Sequence, residues 1–337
     1  MIRAAIVGIG HWGRMLVNAV QGNSTVIQFT AGVTRTRSKA EAFCAEKGIA
    51  LYDDLDAVLA RSDVDAIVCA TPHSEHTAQV ERAAAAGKPV FMEKPFALDR
   101  RSAARALDAA ARAGIAVGVA YPRRFHPNMK ALKSRIDTGA LGTIAHCYAE
   151  QNTPAGIFMA GESWRATADE APAGGMTALG LHNVDALIHH YGEIDEVYAK
   201  SLRRAVSYAA DDTTSVMFGL RNGMAATLVC SLVTTVSYRL AVFGTKGMAE
   251  LKTPNLDLHV TPTPAERQPG RNAALPSEIT EGKGFNALLA ELEAFAAAIS
   301  GGPAYPIPPD QILHGCAVFE AIVQSATSGR PVRVAND

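Results

Sequence analysis

Cysteine is sparse in this chain, and the five present form no pattern. Cys44, Cys69, Cys147, Cys230 and Cys316 are scattered, odd in number and nowhere spaced Cys-x-x-Cys. That argues against a disulfide frame and a zinc site, and for reduced thiols in a cytoplasmic protein. Long hydrophobic runs are also missing. No apolar stretch reaches the ~18 residues of a membrane span, and the first apolar run is too short for a secretory leader. Charge of one sign is absent too: 32 basic residues stand against 33 acidic ones, a formal net charge of −1. Such a balance gives no footing for nucleic acid or an anionic membrane. No internal repeat or low-complexity tract appears. What remains is a chain of 337 residues, 48% hydrophobic, long enough for two domains.

The most informative stretch comes first. An apolar strand, Ala4–Val7, runs into Gly8-Ile9-Gly10-His11-Trp12-Gly13, and an apolar helix follows from about Arg14 to Val20. A Gly-x-Gly-x-x-Gly turn between strand and helix is what a dinucleotide pyrophosphate requires. Gly8 allows the tight turn, Gly10 lets backbone approach phosphate, and Gly13 lets helix pack on strand. The helix N-terminus then offers free N–H groups and partial positive charge. His11 and Trp12 fill the variable positions and are read as packing beside the cofactor.

Strand and helix alternate over about the first 120 residues, which predicts a doubly wound parallel sheet. Strands are expected near Val26–Thr34, Asp65–Ala70, Pro89–Met92 and Ile115–Ala120. Helices are expected from a Ser38 cap to Lys47, from Asp53 or Asp54 to Ala60, and over Ser74–Ala86 and Asp99–Ala113. The pattern changes after Tyr121. Helices near Asn128–Asp137 and Thr177–Tyr191 precede five strand-like runs: Val197–Leu202, Thr213–Leu220, Met224–Leu232, Tyr238–Phe243 and Met248–Leu251. Turns at 221–223 and 245–247 make hairpins of neighbouring runs. Residues 253–277 read as a surface excursion, and helices near Phe285–Ile299 and Asp310–Ser328 close the chain. The fold class is therefore α/β: an N-terminal Rossmann-type domain over 1–121 and a C-terminal α+β domain over 122–337, built on a largely antiparallel open sheet.

The end of the second strand bears on cofactor choice. A carboxylate there accepts hydrogen bonds from the ribose diol of NAD. This chain has Thr34-Arg35-Thr36-Arg37 instead. Guanidinium groups and hydroxyls suit a 2′-phosphate that a carboxylate would repel, so NADP(H) is favoured over NAD(H). The alternative, in which Arg35 and Arg37 are solvated surface charges and either cofactor serves, stays open.

Two segments carry candidate chemistry. Glu93-Lys94-Pro95 ends a strand at the edge where ligands meet an open α/β sheet. A lysine held there can hydrogen-bond a substrate oxygen during hydride transfer; position alone leaves it equally a surface lysine before a turn. Further on, glycines at 174 and 175 lead into a helix bearing His182, Asp185 and His189. His182 is suited to acid–base work, with Asp185 able to orient it or His189, and a buried core histidine is the ordinary alternative. Adjacent His189 and His190 diverge on a helix, so no metal is assigned. Tyr121 and Arg124 after the last Rossmann strand, and Trp164 with Arg165 before the glycines, are candidates for a sugar face and an anionic group, or else for interdomain packing.

These residues resemble the Gfo/Idh/MocA family, the glucose–fructose oxidoreductase and inositol dehydrogenase group. The carriers are Gly8 through Gly13, Thr71-Pro72-His73-Ser74-Glu75-His76, Glu93-Lys94-Pro95, Gly142 and Gly174 through Asp185. The resemblance implies NAD(P) binding by the first domain, with Thr71, Pro72 and His76 among the cofactor-binding residues and Glu93 and Lys94 near nicotinamide and substrate. It implies Lys94 and His182 as the catalytic pair, and Lys94, Tyr121, Arg124, Trp164, Arg165, His182 and Asp185 as substrate contacts. It also implies a second sheet that supports a homodimer or homotetramer, and a substrate that is a sugar, cyclitol or related polyol reacting at a secondary carbinol. One departure is plain: family members often carry Asp four residues before the histidine, and Ala178 stands there. That keeps two further readings in view, a non-catalytic NADP-binding sensor and an enzyme whose tightly held NAD(P) recycles in each turnover.

Overall fold

Alternation of strand and helix begins at the second residue. In chain order the elements are β1 (Ile2–Val7), α1 (His11–Val20), β2 (Ile27–Val33), α2 (Glu41–Lys47), β3 (Ala50–Tyr52), α3 (Leu55–Leu59), β4 (Ala66–Cys69), α4 (His76–Ala85), β5 (Val90–Met92), α5 (Arg100–Ala113) and β6 (Val117–Val119). Then come α6 (Pro127–Asp137), β7 (Ile144–Asn152), α7 (Leu181–Tyr191), β8 (Ile194–Leu202), β9 (Thr213–Leu220), β10 (Ala225–Ser231), β11 (Ser237–Gly244), β12 (Gly247–Lys252), β13 (Asp257–Pro262), β14 (Glu278–Thr280), α8 (Ala287–Ile299), α9 (Pro309–Ser328) and β15 (Val332–Arg333). The computed structural model describes residues 1–264 and 275–335. Contacts divide the chain into two compact units, Met1–Pro122 with Asn286–Cys316, and Arg123–Phe285 with Ala317–Asp337.

The first unit holds a six-stranded parallel sheet in the order β3-β2-β1-β4-β5-β6. Parallel strands covered by helices are apolar along their whole length, and β4 and β5 are buried at every position. Helix ends follow local chemistry. Asp54 and Asp99 accept from the N–H groups of Ala57 and Ser102, both at 2.7 Å. Gly48 and Gly114 close α2 and α5 in the left-handed conformation. Phe295 on α8 packs edge-on to Phe91 of β5, with ring centroids 5.6 Å apart, so α8 belongs to this core.

The second unit is a nine-stranded sheet among the described residues, β14-β13-β12-β11-β7-β10-β9-β8-β15. It is antiparallel except for the β7–β10 pair. Along β9 every second residue is buried, the mark of a sheet with one covered face. On the other face Tyr198 and Met217 are cross-strand partners, 42% and 59% exposed.

Several local expectations are corrected. Ser38 does not cap α2: it lies in a 3₁₀ turn over Arg37–Lys39, and α2 starts after Ala40 without a side-chain cap. Strand β3 was not expected, nor was β7, although β7 is central to the second sheet. Its inward residues, Cys147, Ala149 and Gln151, are small or polar and give no β-branched signal. The stretch 253–277 contains β13, and residues 265–274 of that expectation lie outside the described residues.

Candidate active site

The glycine turn has the shape the sequence calls for. Gly8 sits at φ +90°, and a Cβ there would press on the Ala70 carbonyl. A Cβ on Gly13 would run into the Gly8 carbonyl oxygen, so only glycine lets α1 seat on the end of β1. Around Gly10 the space is open, with nothing within 4 Å of the place a Cβ would take. Gly10 caps α1 with no side-chain hydrogen bond, and the first turn carries no acidic residue. The arrangement fits a pyrophosphate: open backbone, unspent helix N–H groups and no opposing carboxylate. His11 is exposed and Trp12 half-buried beside it, with ring centroids 6.0 Å apart.

Past β2, Thr34 is half-buried and Arg35 exposed. Arg37 is engaged: its Nε donates to Glu41 at 3.0 Å and its Nη1 to Asp53 at 3.1 Å. Arg35 makes no such hydrogen bond or ion pair among the described residues.

Two turns at the carboxyl edge of the sheet are pinned to each other. Thr71 Oγ1 donates to Gln79 Oε1 at 2.8 Å. His76 is fully buried; Nδ1 lies 2.7 Å from the Pro95 carbonyl and Nε2 3.2 Å from the Thr71 carbonyl. His76 therefore braces the Thr71-Pro72 turn against the Glu93-Lys94-Pro95 turn. The Glu93 N–H donates to Cys69 at 2.9 Å, extending the pairing of β4 and β5, and the Lys94 N–H donates to Glu93 Oε2 at 3.2 Å. Glu93 and Lys94 are 7% and 6% exposed, and the Lys94–Pro95 peptide is cis. Lysine is rarely buried this far unless it is paired or sits in a functional cleft. Tyr121, two residues beyond β6, is half-buried.

In the second unit, the chain enters the His182 helix through Ala173 and Gly174, at φ +53° and +42°. A Cβ on Gly174 would collide with the Asp211 carbonyl, and Thr214 Oγ1 donates to the Ala173 carbonyl at 2.8 Å. Asp212 is fully buried, and its carboxylate accepts from the N–H groups of Arg204 and Ala205, both at 2.7 Å. One π turn, Met176–Gly180, precedes α7; such turns are frequent at functional sites. His182 is half-buried on the first turn of α7. Asp185 does not turn to a histidine. It takes Arg124 in a forked pair, Nε to Oδ2 at 2.9 Å and Nη2 to Oδ1 at 2.7 Å. Burial raises the Asp185 carboxyl above its usual range, against the pull of Arg124. Burial pushes His189 down to about 4 and holds His190 well below its usual range. Arg165 stacks over Trp164 at 4.0 Å.

Gln79, Gln151 and Asp212 were missed by the sequence reading. Gln151 accepts from Arg123 Nη1 at 2.7 Å. Gln151 lies 28 residues from Arg123, while Gln79 and the Asp212 carboxylate bond to groups no more than eight residues away, and none of the three sits in a motif. Only Asp212, directly before a strand and after a polar loop, carries a weak local signal.

Two family models cover most of the chain. The oxidoreductase family, NAD-binding Rossmann fold, matches residues 2–121, and the GFO/IDH/MocA C-terminal domain matches residues 129–250. This chain belongs to the Gfo/Idh/MocA family. It is 26% identical to inositol 2-dehydrogenase of Rhizobium meliloti (strain 1021), across 99% of both chains. Among solved structures it resembles a provisionally named NADPH-dependent oxidoreductase from Desulfitobacterium hafniense, with a TM-score of 0.90 and 23% identity over 99% of this chain and 97% of that one. It also resembles levoglucosan dehydrogenase in complex with NADH and levoglucosan, with a TM-score of 0.86 and 20% identity over 99% and 100%. These last two likenesses establish the fold. This Gfo/Idh/MocA chain is thus an oxidoreductase with an NAD(P)-type nucleotide-binding domain.

Proposed function

We infer that this protein interconverts a secondary carbinol and its ketone on a sugar, cyclitol or related polyol, with NADP(H) favoured over NAD(H). The observation that carries the reading is the buried Lys94 at the carboxyl end of β5, in the same sheet as the Gly8–Gly13 turn. Oxidation takes a hydride from carbon and a proton from oxygen; nicotinamide, when bound, accepts the hydride. Gly8, Gly10 and Gly13 leave room for its pyrophosphate, and the Thr71-Pro72 turn lies at the same sheet edge. Lys94 donates a hydrogen bond to the substrate oxygen and favours its alkoxide character. His182 takes the proton in oxidation and returns it in reduction. Tyr121, Trp164 and Arg165 are assigned to substrate contact. Arg124 and Asp185, spent on each other, hold the wall of the site.

The cofactor preference rests on Arg35, whose guanidinium is unengaged among the described residues, more than on Arg37, which Glu41 and Asp53 hold. The names of similar structures include both an NADPH-dependent oxidoreductase and an NADH complex, so the preference proposed here rests on this chain's own residues. The five separate, buried thiols fit a reducing cytoplasm, and no helix among the described residues is long and apolar enough to cross a membrane. The test is a panel of sugars, cyclitols and their keto forms with both cofactors, for the wild type, Lys94→Ala and His182→Ala. Turnover by the wild type alone is expected. Wild-type rates in both variants would overturn the residue assignment, and no turnover on any member would overturn the activity.

A further inference from the structure

A cavity of about 560 Å³ opens in the first unit, where α5 and the start of β6 meet the segment from Ala304 into α9. It lies at the amino edge of the parallel sheet, whereas the Gly8–Gly13 turn and Lys94 lie at the carboxyl edge. The sequence of α5 makes one wall. Ala103, Ala106 and Ala110 are its buried face. Beside them, at the spacing that shares one helix face, Ala104, Leu107, Asp108 and Ala111 border the cavity. Alanine keeps the space open, because Ala104 and Ala111 fill it with one methyl group apiece.

The volume is that of a small-molecule site, and the lining says which chemistry suits it. Besides aliphatic groups it holds one aromatic ring, Tyr305, and two carboxylates, Asp108 and Asp310, with no lysine, arginine or histidine. Tyr305 is fixed: its hydroxyl donates to the Val119 carbonyl at 2.8 Å, and its ring meets Phe91 and Phe295 edge-on. Asp310 stands in the first turn of α9, where a carboxylate also serves the helix N-terminus. Asp108 is inside α5 and has no helix end to serve. Arg105, three residues before it, is taken by Glu81 at 3.0 Å, and Asp108 forms no ion pair among the described residues. A hollow of hydrocarbon with an aromatic wall and unbalanced negative charge takes a cation with an apolar body. The charge is drawn to the carboxylates and the ring, and the body leaves water. A second copy of the chain fits poorly, since a two-fold contact here would set these carboxylates against their own counterparts. We propose that this cavity binds a small organic ammonium ion, an arylalkyl or alkyl amine, at a place apart from the nucleotide and the reacting carbinol.

The probes are 2-phenylethylammonium, 2-phenylethanol and phenylacetate, which share a ring and differ in charge. Each is titrated by calorimetry into the full chain. The cation should bind about tenfold tighter than the alcohol, and phenylacetate more weakly than either. Asp108→Asn with Asp310→Asn changes two exposed positions and should bring the cation within about twofold of the alcohol. Ala104→Leu fills the hollow from a half-buried position and should weaken cation and alcohol alike by about tenfold. Saturating NADP⁺ should leave the cation's affinity within about twofold. Absence of cation binding, equal affinity for the three probes, or wild-type affinity in Ala104→Leu overturns the proposal. So does displacement of the cation by NADP⁺, which would put it in the nucleotide cleft, and so does a lower mass of Ala104→Leu in light scattering, which would give the cavity to a second copy. None of these outcomes bears on the dehydrogenase reading, which the substrate panel tests separately.

Discussion

At the scale of single residues, burial and charge separate the groups that do chemistry from those that hold it in place. We assign Lys94 to the first kind. On that assignment its removal takes away a hydrogen bond to the reacting oxygen, so Lys94→Ala should lower kcat by roughly a hundredfold or more. Steady-state kinetics on any substrate from the panel checks this. Arg35 is assigned to cofactor choice. Arg35→Ser should weaken NADP⁺ by about tenfold and leave NAD⁺ within about twofold, as read by fluorescence titration with each nucleotide. An equal loss for both would place Arg35 outside the 2′-phosphate contact. Arg124 is the second kind. Its removal leaves the buried Asp185 carboxylate without its partner, which costs about 3–5 kcal/mol in comparable pairs, measurable by urea unfolding. The sequence marked both members of that pair as substrate contacts because an arginine after a Rossmann strand and an aspartate on the histidine helix each look solitary in one dimension. Only the fold shows that they meet.

At the scale of elements, the glycine turn and the histidine helix make the sharpest demands. Gly13→Ala puts a methyl where the Gly8 carbonyl already stands. The helix must lift off the strand, with a loss of about 1–3 kcal/mol and of nucleotide binding together. The α7 helix also makes stability depend on pH. In the folded chain burial lowers His189 from the usual 6.5 to about 4 and also holds His190 well below its usual value. Between pH 6.5 and 4 the unfolded chain binds protons that the folded chain refuses, so stability falls on acidification across that window and is retained above it. Thermal melts at pH 7 and pH 5 should differ in that direction, and His189→Gln should reduce the difference. An unchanged melting temperature would mean that the ring reaches water in the folded chain. Elements with strong apolar periodicity or capping residues were legible in advance, such as β1, β4 and the Asp99-capped α5. Strands β3 and β13 were not. They are short or mixed in character, and neighbours from elsewhere in the chain make them strands.

At the scale of the whole molecule, the class of each unit was readable, because alternating and meandering patterns leave different spacing in the sequence. Two things were not. Residues 286–316 return to the first unit, since the apolar face of α8 does not say which sheet it will cover. Strand β7 pairs parallel to β10, a long-range choice without local trace. The uncovered face of the second sheet, with Tyr198 and Met217 side by side, is where we place association into a homodimer or homotetramer. Met217→Lys with Tyr198→Lys should shift the mass seen by light scattering toward the monomer, and an unaltered mass would move the interface elsewhere. The proposed activity stands on Lys94 serving chemistry and the glycine turn serving nucleotide. The most direct measurement is therefore a paired one on Lys94→Ala: nucleotide affinity by titration, and single-turnover hydride transfer by the absorbance of reduced nicotinamide. Affinity within about threefold of wild type with transfer slowed about a hundredfold or more is the predicted result. Undiminished transfer would contradict it.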